Sequence, residues 1–137
     1  MSVTITFEYL GGFRCRATHD PSSTQLETDA PKDNRGKGES FSPTDLVGLA
    51  LVSCAVTTMA IRADAEGLAF GGATGRVVKE MTRVPPRRIA QLRVDVTMPQ
   101  GIEPARRAWF ELIARTCPVA LSLSEELEAE FHFTYPD

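Results

Sequence analysis

The stretch SPTDLVGLALVSCAVTTMAIRADAEG, residues 42–67, decides how this chain folds. It opens with two residues that commonly start helices, Ser42 as a candidate N-cap and Pro43 at the first helical position. Gly67 is a typical C-terminal stop. The pattern therefore predicts one long helix that begins after Ser42 and runs to about Glu66.

The first half of this helix is apolar almost all round, and a helix of that kind is covered on most sides. A domain formed by only 137 residues is too small to wrap a helix completely. We therefore expect a central helix enclosed by a sheet and by a second subunit. The apolar residues of this half are Leu46, Val47, Leu49, Ala50, Leu51, Val52, Ala55 and Val56.

The segments before the helix read as strands. Residues 3–9 alternate apolar and polar side chains, which predicts a half-buried strand. Further strands are expected at Arg14–His19 and at 24–28, followed by an exposed loop over 29–41 that contains proline, glycine and mixed charges.

The segments after the helix alternate between strands and helices. Strands are expected at 73–84 and 89–98, with a turn at Pro85-Pro86 and the polar-out alternation of an antiparallel pair. A helix is expected from Pro104 to Arg115, packing Trp109, Leu112 and Ile113 inward. A shorter helix capped by Thr116 and a strand over 127–135 complete the chain. The prediction is an α+β fold in a single domain, residues 1–137.

Composition excludes several classes of protein. Hydrophobic residues make up 42% and charged residues 24% of the chain, as in soluble globular proteins. The formal charge of −3 gives no basic footprint for nucleic acid. The first residues lack the pattern of a signal peptide, and no uninterrupted apolar run reaches the length of a membrane span. We therefore expect a cytoplasmic protein with neither nucleic acid nor a membrane as partner.

Three cysteines, Cys15, Cys54 and Cys117, are the candidate reactive groups. Their odd number and wide spacing disfavour a disulfide framework, and no zinc-type or cofactor motif is present, so neither a metal nor a cofactor is expected. Position alone favours a core role for Cys54 and a core or surface role for Cys15. Cys117 precedes Pro118 at a helix start, where the helix dipole favours a thiolate.

A reactive cysteine needs a group that stabilises its thiolate, because an unperturbed cysteine is only ~3% thiolate at pH 7 and apolar burial lowers that fraction. A nearby cation would stabilise the thiolate. Arg14 and Arg16, on one face of an early strand, are the candidates, although the same pattern is typical of a solvated strand face.

Several motifs together resemble the OsmC/Ohr family, which comprises osmotically inducible protein C and the organic hydroperoxide resistance proteins. The segment Ser42–Leu46, followed at fixed distance by Ser53-Cys54, is similar to the family's helix signature. The Gly36–Gly38 loop resembles its glycine-rich approach, and Cys117-Pro118-Val119 resembles its second cysteine motif. The order of elements agrees over nearly the whole chain.

The resemblance implies an intertwined homodimer, with antiparallel sheets wrapped around the long central helices. It also implies a thiol-dependent peroxidase that reduces organic hydroperoxides in oxidative or osmotic stress defence. In that pattern Cys54 is the peroxidatic residue and Cys117 the resolving one. A dithiol, of lipoyl type in the organic hydroperoxide branch, is the reductant.

Two departures point to the general OsmC-like branch. Thr44 stands ten residues before Cys54, where the peroxidase members carry a glutamate that pairs with the activating arginine. Arg14 comes one place later after Gly11-Gly12 than the family arginine does. An alternative function is therefore a dimeric hydrophobic-ligand-binding or redox-sensing protein with little peroxidase activity. A third is a stress protein whose dimer serves a larger assembly.

Overall fold

The computed structural model describes residues 1–137 and has the α+β order of elements that the sequence predicts. The chain divides into two compact units, residues 1–47 and 48–137, and it forms two three-stranded sheets ordered β1-β2-β3 and β4-β5-β6. A single domain over the whole chain stays a prediction. The elements are β1 (Ile5–Gly11), β2 (Arg14–His19), β3 (Thr24–Asp29), α1 (Pro43–Ala65), β4 (Thr74–Met81), β5 (Ile89–Thr97), α2 (Arg107–Arg115), α3 (Pro118–Ser122) and β6 (Glu128–Thr134).

The first unit is an antiparallel sheet without a buried apolar side. β1 pairs with β2, and β2 pairs with β3 in a register that places Arg14 opposite Asp29. All seven residues of β1 are exposed, so the prediction of a half-buried strand is wrong for the single chain. No hydrophobic side chain within residues 1–47 is buried, and the most exposed one on β1 is Phe7, at 72%.

The ends of α1 confirm the start and stop signals. The backbone N–H of Asp45 donates to the Ser42 hydroxyl over 3.1 Å, and the Ser42 N–H donates to the Asp45 carboxylate over 2.8 Å. This reciprocal pair is a capping box. At the other end Gly67 has a φ of +68°, which glycine adopts without strain, and the Leu68 N–H reaches the Ala63 carbonyl.

In the second unit α1 packs closely against β4 and β5. A Cβ atom added to Gly75 of β4 would lie 2.9 Å from a methyl carbon of Val52. The absence of a side chain at Gly75 therefore allows the helix and the strand to lie close together. On the other faces of α1 Leu49 and Ile61 are exposed, by 42% and 63%, and Val52 and Val56 are half-buried. The buried stripe of α1 consists of Gly48, Leu51, Ala55, Met59 and Ala63.

α1 is long and apolar enough to cross a membrane. The core helices of soluble proteins meet the same criteria of length and composition. The expectation that no segment spans a membrane rested on the length of uninterrupted apolar runs. The small residues of α1, such as Gly48 and Ser53, interrupt such a run without making the helix polar on average.

The second sheet is mixed, which corrects the expectation of antiparallel sheets only. β4 and β5 are antiparallel, but β6 joins β5 in parallel. Parallel neighbours require a crossover connection. Here the crossover connection between β5 and β6 contains α2 and α3.

The segment around α2 differs from the prediction at three points. Residues 104–106 form a 3-10 turn, and α2 begins only at Arg107. Leu112 is 62% exposed, because the buried positions are Phe110, Ile113 and Ala114 and helical periodicity turns Leu112 away from them. Thr116 ends α2, and the cap of α3 is Cys117 itself.

Candidate active site

Cys54 lies in the middle of α1 and is half-buried rather than part of the closed core. This differs from the core role that its position suggests. The buried stripe of α1 passes through Leu51 and Ala55, so Cys54 falls at the edge of that stripe. Its sulfur lies 3.8 Å from the hydroxyl oxygen of Thr58, one turn further along the helix. The thiol therefore combines partial solvent access with a polar neighbour.

Cys117 is fully buried, at 0% exposure, between α2 and α3. Burial raises the pKa of its thiol, and the neighbouring Cys54 raises it further. Backbone N–H groups of Ala120 and Val119 act in the opposite direction without reversing the shift. The expectation that the helix N-terminus lowers this pKa is thus wrong, because α3 has only five residues and desolvation outweighs its donors.

The two thiols meet within the second unit although 63 residues separate them in sequence. Cys117 lies close enough to Cys54 for Cys54 to raise the pKa of the Cys117 thiol, and both cysteines are free thiols. α2 leads directly into Cys117, and the Tyr135 hydroxyl donates to Glu111 of α2 over 2.6 Å. The helix that carries Cys117 toward Cys54 is thereby tied to the segment after β6.

Arg14 lies on β2 in the first unit and is held by two carboxylates. Its guanidinium is 3.2 Å from Asp29 and 3.2 Å from Glu39. Asp29 is only 1% exposed. Its pKa is lowered by the backbone N–H of Glu39 and by Arg14, while Asp29 in turn raises the pKa of Arg14. The cation is therefore fixed in one orientation.

Arg16, two residues further along β2, has a more solvated environment. It pairs with Glu8 over 3.6 Å and with Glu27 over 3.3 Å; Glu8 is exposed and Glu27 is half-buried. This resembles the solvated strand face that the sequence left open as an alternative. Exposed ion pairs of this kind contribute little to stability.

The remaining candidates are the third cysteine and the two histidines. Cys15 is half-buried on β2, opposite Tyr9 and Thr28 of the neighbouring strands. His19 contacts Ser22, and His132 contacts Glu130. No group of three or more histidine, cysteine or acidic side chains comes together as a metal site within residues 1–137.

Sequence reasoning missed two polar residues next to the predicted ones. Thr58 follows Cys54 by four positions, a spacing that places two side chains on the same helix face, so the pattern could have revealed it. Asp29 lies opposite Arg14 in the β2–β3 register. The sequence could not reveal Asp29 as the buried partner of Arg14, because that role depends on the strand register and on the hydrogen bond from the Glu39 backbone N–H to the Asp29 carboxylate.

Several solved structures resemble this chain. A Psychrobacter arcticus protein, provisionally named an osmotic stress induced and detoxification response protein, is 35% identical, with a TM-score of 0.87 over 97% of this chain and 95% of its own. An OsmC-like protein from Mycoplasma pneumoniae is 16% identical, with a TM-score of 0.82 over 100% and 99%.

An organic hydroperoxide resistance protein from Elizabethkingia anophelis is 14% identical, with a TM-score of 0.78 over 99% of this chain and 97% of its own. At such low identity the likeness concerns the fold alone. No curated protein matches the chain. The family model described as "OsmC-like protein" matches residues 36–132, which include both cysteines of the thiol pair. The chain therefore belongs to the OsmC-like protein family.

Proposed function

We propose that this protein is a thiol-dependent peroxidase that reduces organic hydroperoxides with Cys54 and Cys117 in a stress-defence role. The observation that carries the proposal is the pair of neighbouring free thiols, with Cys54 half-buried and Cys117 buried. Two neighbouring thiols can form a disulfide after either is oxidised. Membership of the OsmC-like family, whose relatives include proteins named for organic hydroperoxide resistance, supports a peroxide-defence role.

The proposed cycle has three steps. The Cys54 thiolate attacks the terminal oxygen of the hydroperoxide, so the O–O bond breaks and the alcohol leaves after taking a proton. Cys54 becomes a sulfenic acid. The Cys117 thiol attacks that sulfur, which forms a disulfide and releases water. A dithiol reductant, which we propose to be of lipoyl type, restores both thiols and becomes oxidised to its own disulfide.

The environments of the two thiols support this division of roles. The raised pKa of Cys117 keeps it protonated near neutral pH, which makes it the poorer first nucleophile. Cys54 is half-buried, so it is more accessible to a substrate than the fully buried Cys117. Once Cys54 carries a sulfenic acid, proximity favours attack by Cys117 because the two thiols are neighbours.

The test of the proposal is turnover by the wild-type protein. We expect loss of cumene hydroperoxide and formation of the corresponding alcohol in the presence of dihydrolipoamide, with hydrogen peroxide as the comparison substrate. Glutathione, a monothiol, is the comparison reductant. No alcohol above the rate of dihydrolipoamide alone would contradict the proposal.

Arg14 is the cation that we propose to activate Cys54. Its two carboxylate partners, one of them buried, fix the guanidinium, whereas neither partner of Arg16 is buried. We expect Arg14→Gln to slow peroxide reduction at pH 7 by about tenfold or more, because the thiolate loses a stabilising charge.

Two further variants control this prediction. Arg14→Lys keeps the charge beside Asp29 but loses the planar fork, so it should retain more activity than Arg14→Gln. Arg16→Gln shows whether the second candidate arginine contributes. Circular dichroism verifies folding of each variant, since Arg14→Gln leaves Asp29 buried without its cation. A larger loss in Arg16→Gln than in Arg14→Gln would assign the activation to Arg16.

The proposed assembly is a homodimer, with the cytoplasm as its location. The absence of buried hydrophobic side chains from residues 1–47 supports a partner subunit, because a small sheet needs an apolar face covered to be stable. The exposed apolar side chains of α1, such as Ile61, support it as well. Light scattering should give twice the chain mass of 15.0 kDa at micromolar concentration, and a stable folded monomer would contradict the assembly.

A second candidate function is that of a hydrophobic-ligand-binding or redox-sensing protein with little peroxidase activity. It is favoured by Thr44, which stands at the position of the family's glutamate and contacts the Ser42 hydroxyl over 3.2 Å. A hydroxyl cannot pair with an activating arginine as a carboxylate does. In this case a hydrophobic probe would bind equally well to the wild type and to Cys54→Ser, and neither would consume peroxide.

A further inference from the structure

The hydroxyl of Thr58 is the polar side-chain group that faces Cys54 along α1. Its oxygen lies 3.8 Å from the Cys54 sulfur, and both residues are half-buried. The neighbouring Thr57 is exposed. Two adjacent threonines on one helix thus differ in whether they reach the thiol.

The direction of this hydrogen bond depends on the state of the sulfur. While Cys54 is protonated, either group can donate. Once Cys54 is a thiolate the sulfur only accepts, so the Thr58 hydroxyl must be the donor. A hydrogen bond to the charged form of an acid favours that form. The contact therefore stabilises the thiolate more than it stabilises the thiol.

We propose that Thr58 is a positioning residue that holds Cys54 as the reactive thiolate through its hydroxyl group. The inference rests on the proposed function, because it concerns the reactivity of the same cysteine. Thr58 does not itself contact the substrate in this account. It acts through the charge state and orientation of the sulfur.

The test is the pH profile of Cys54 alkylation by iodoacetamide, read by peptide mapping so that Cys15 and Cys117 are scored separately. Thr58→Val replaces the hydroxyl by a methyl group of similar size. We expect its Cys54 profile to shift to higher pH and its rate at pH 7 to fall by about threefold to tenfold, the range expected for one hydrogen bond. Thr58→Ser keeps the hydroxyl and should restore the wild-type profile.

Thr57→Val is the matched control, since it makes the same exchange at the exposed neighbour and should leave the profile unchanged. Thermal melting verifies that each variant is folded. If Thr58→Val does not fold, Thr58→Ala against Thr58→Ser makes the same comparison. A Thr58→Val or Thr58→Ala profile that superposes on the wild type overturns the inference. So does a Thr58→Ser profile that matches the hydroxyl-free variants, because the methyl group would then be responsible.

Alkylation needs no peroxide, so this test separates the inference from the proposed function. If Cys54 alkylation depends on the Thr58 hydroxyl but the wild-type protein does not reduce hydroperoxides, the proposed peroxidase function is contradicted and the role of Thr58 stands. If the protein is an active peroxidase but the pH profile of Cys54 alkylation is the same in the wild type and in Thr58→Val, only the role of Thr58 is contradicted.

Discussion

The Cys54→Ser variant loses hydroperoxide reduction down to the rate of the reductant alone. A serine hydroxyl is not ionised at neutral pH and forms no sulfenic acid, so the first step of the proposed cycle has no nucleophile. The measurement is alcohol formation from cumene hydroperoxide with dihydrolipoamide present. The variant should remain folded, because Cys54 is only half-buried and the exchange changes the side-chain volume little.

Cys15→Ser is the matched control for this experiment. Cys15 is also half-buried, but it lies on β2 and has no part in the proposed cycle. Its replacement should leave the rate unchanged, which excludes a general effect of removing one thiol. Full activity in Cys54→Ser, or loss of activity in Cys15→Ser, would overturn the assignment of the nucleophile.

The Cys117→Ser variant consumes one equivalent of hydroperoxide per chain and then stops. Without Cys117 the sulfenic acid on Cys54 has no intramolecular partner, so it accumulates. Dimedone, a reagent for sulfenic acids, should label Cys54 in this variant after peroxide treatment and leave the wild type largely unlabelled.

The burial of Cys117 requires a second variant for the same position. Serine places a hydroxyl in a fully buried site, and Cys117→Ala avoids that cost. Both variants should trap the same sulfenic acid. Sustained turnover in either variant would show that Cys117 does not resolve the intermediate, and sulfenic acid on Cys117 after treatment of the wild type would reverse the two roles.

Local signals determined how much of the fold the sequence predicted. The start of α1 followed from Ser42 and Pro43, and its end from Gly67, because caps depend on neighbouring residues alone. The bounds of β2 at Arg14 and His19 followed in the same way from the turns on either side. Features of this kind do not require knowledge of distant contacts.

Non-local packing explains what the sequence could not predict about the fold. The parallel pairing of β6 with β5 depends on the path of the crossover, and alternation of side chains is the same for either orientation. The exposure of Leu112 depends on which face of α2 meets the core. The full exposure of β1 depends on what lies against that strand, which a periodicity of two does not report.

The candidate site divides in the same manner. Spacing alone could not bring Cys54 and Cys117 together across 63 residues, and that expectation came from the family resemblance. The dipole argument for Cys117 failed because it weighed the helix terminus without the burial of the sulfur. By contrast, the contact between Cys54 and Thr58 follows a local helical spacing and was open to prediction.

The mass of the intact wild-type protein after one equivalent of cumene hydroperoxide tests the two-cysteine account most directly. The account predicts the loss of two hydrogen atoms per chain, a Cys54–Cys117 disulfide in the peptide map, and recovery of the original mass with dihydrolipoamide. An unchanged mass, or a stable oxygen adduct on Cys54 with Cys117 still a free thiol, would contradict it.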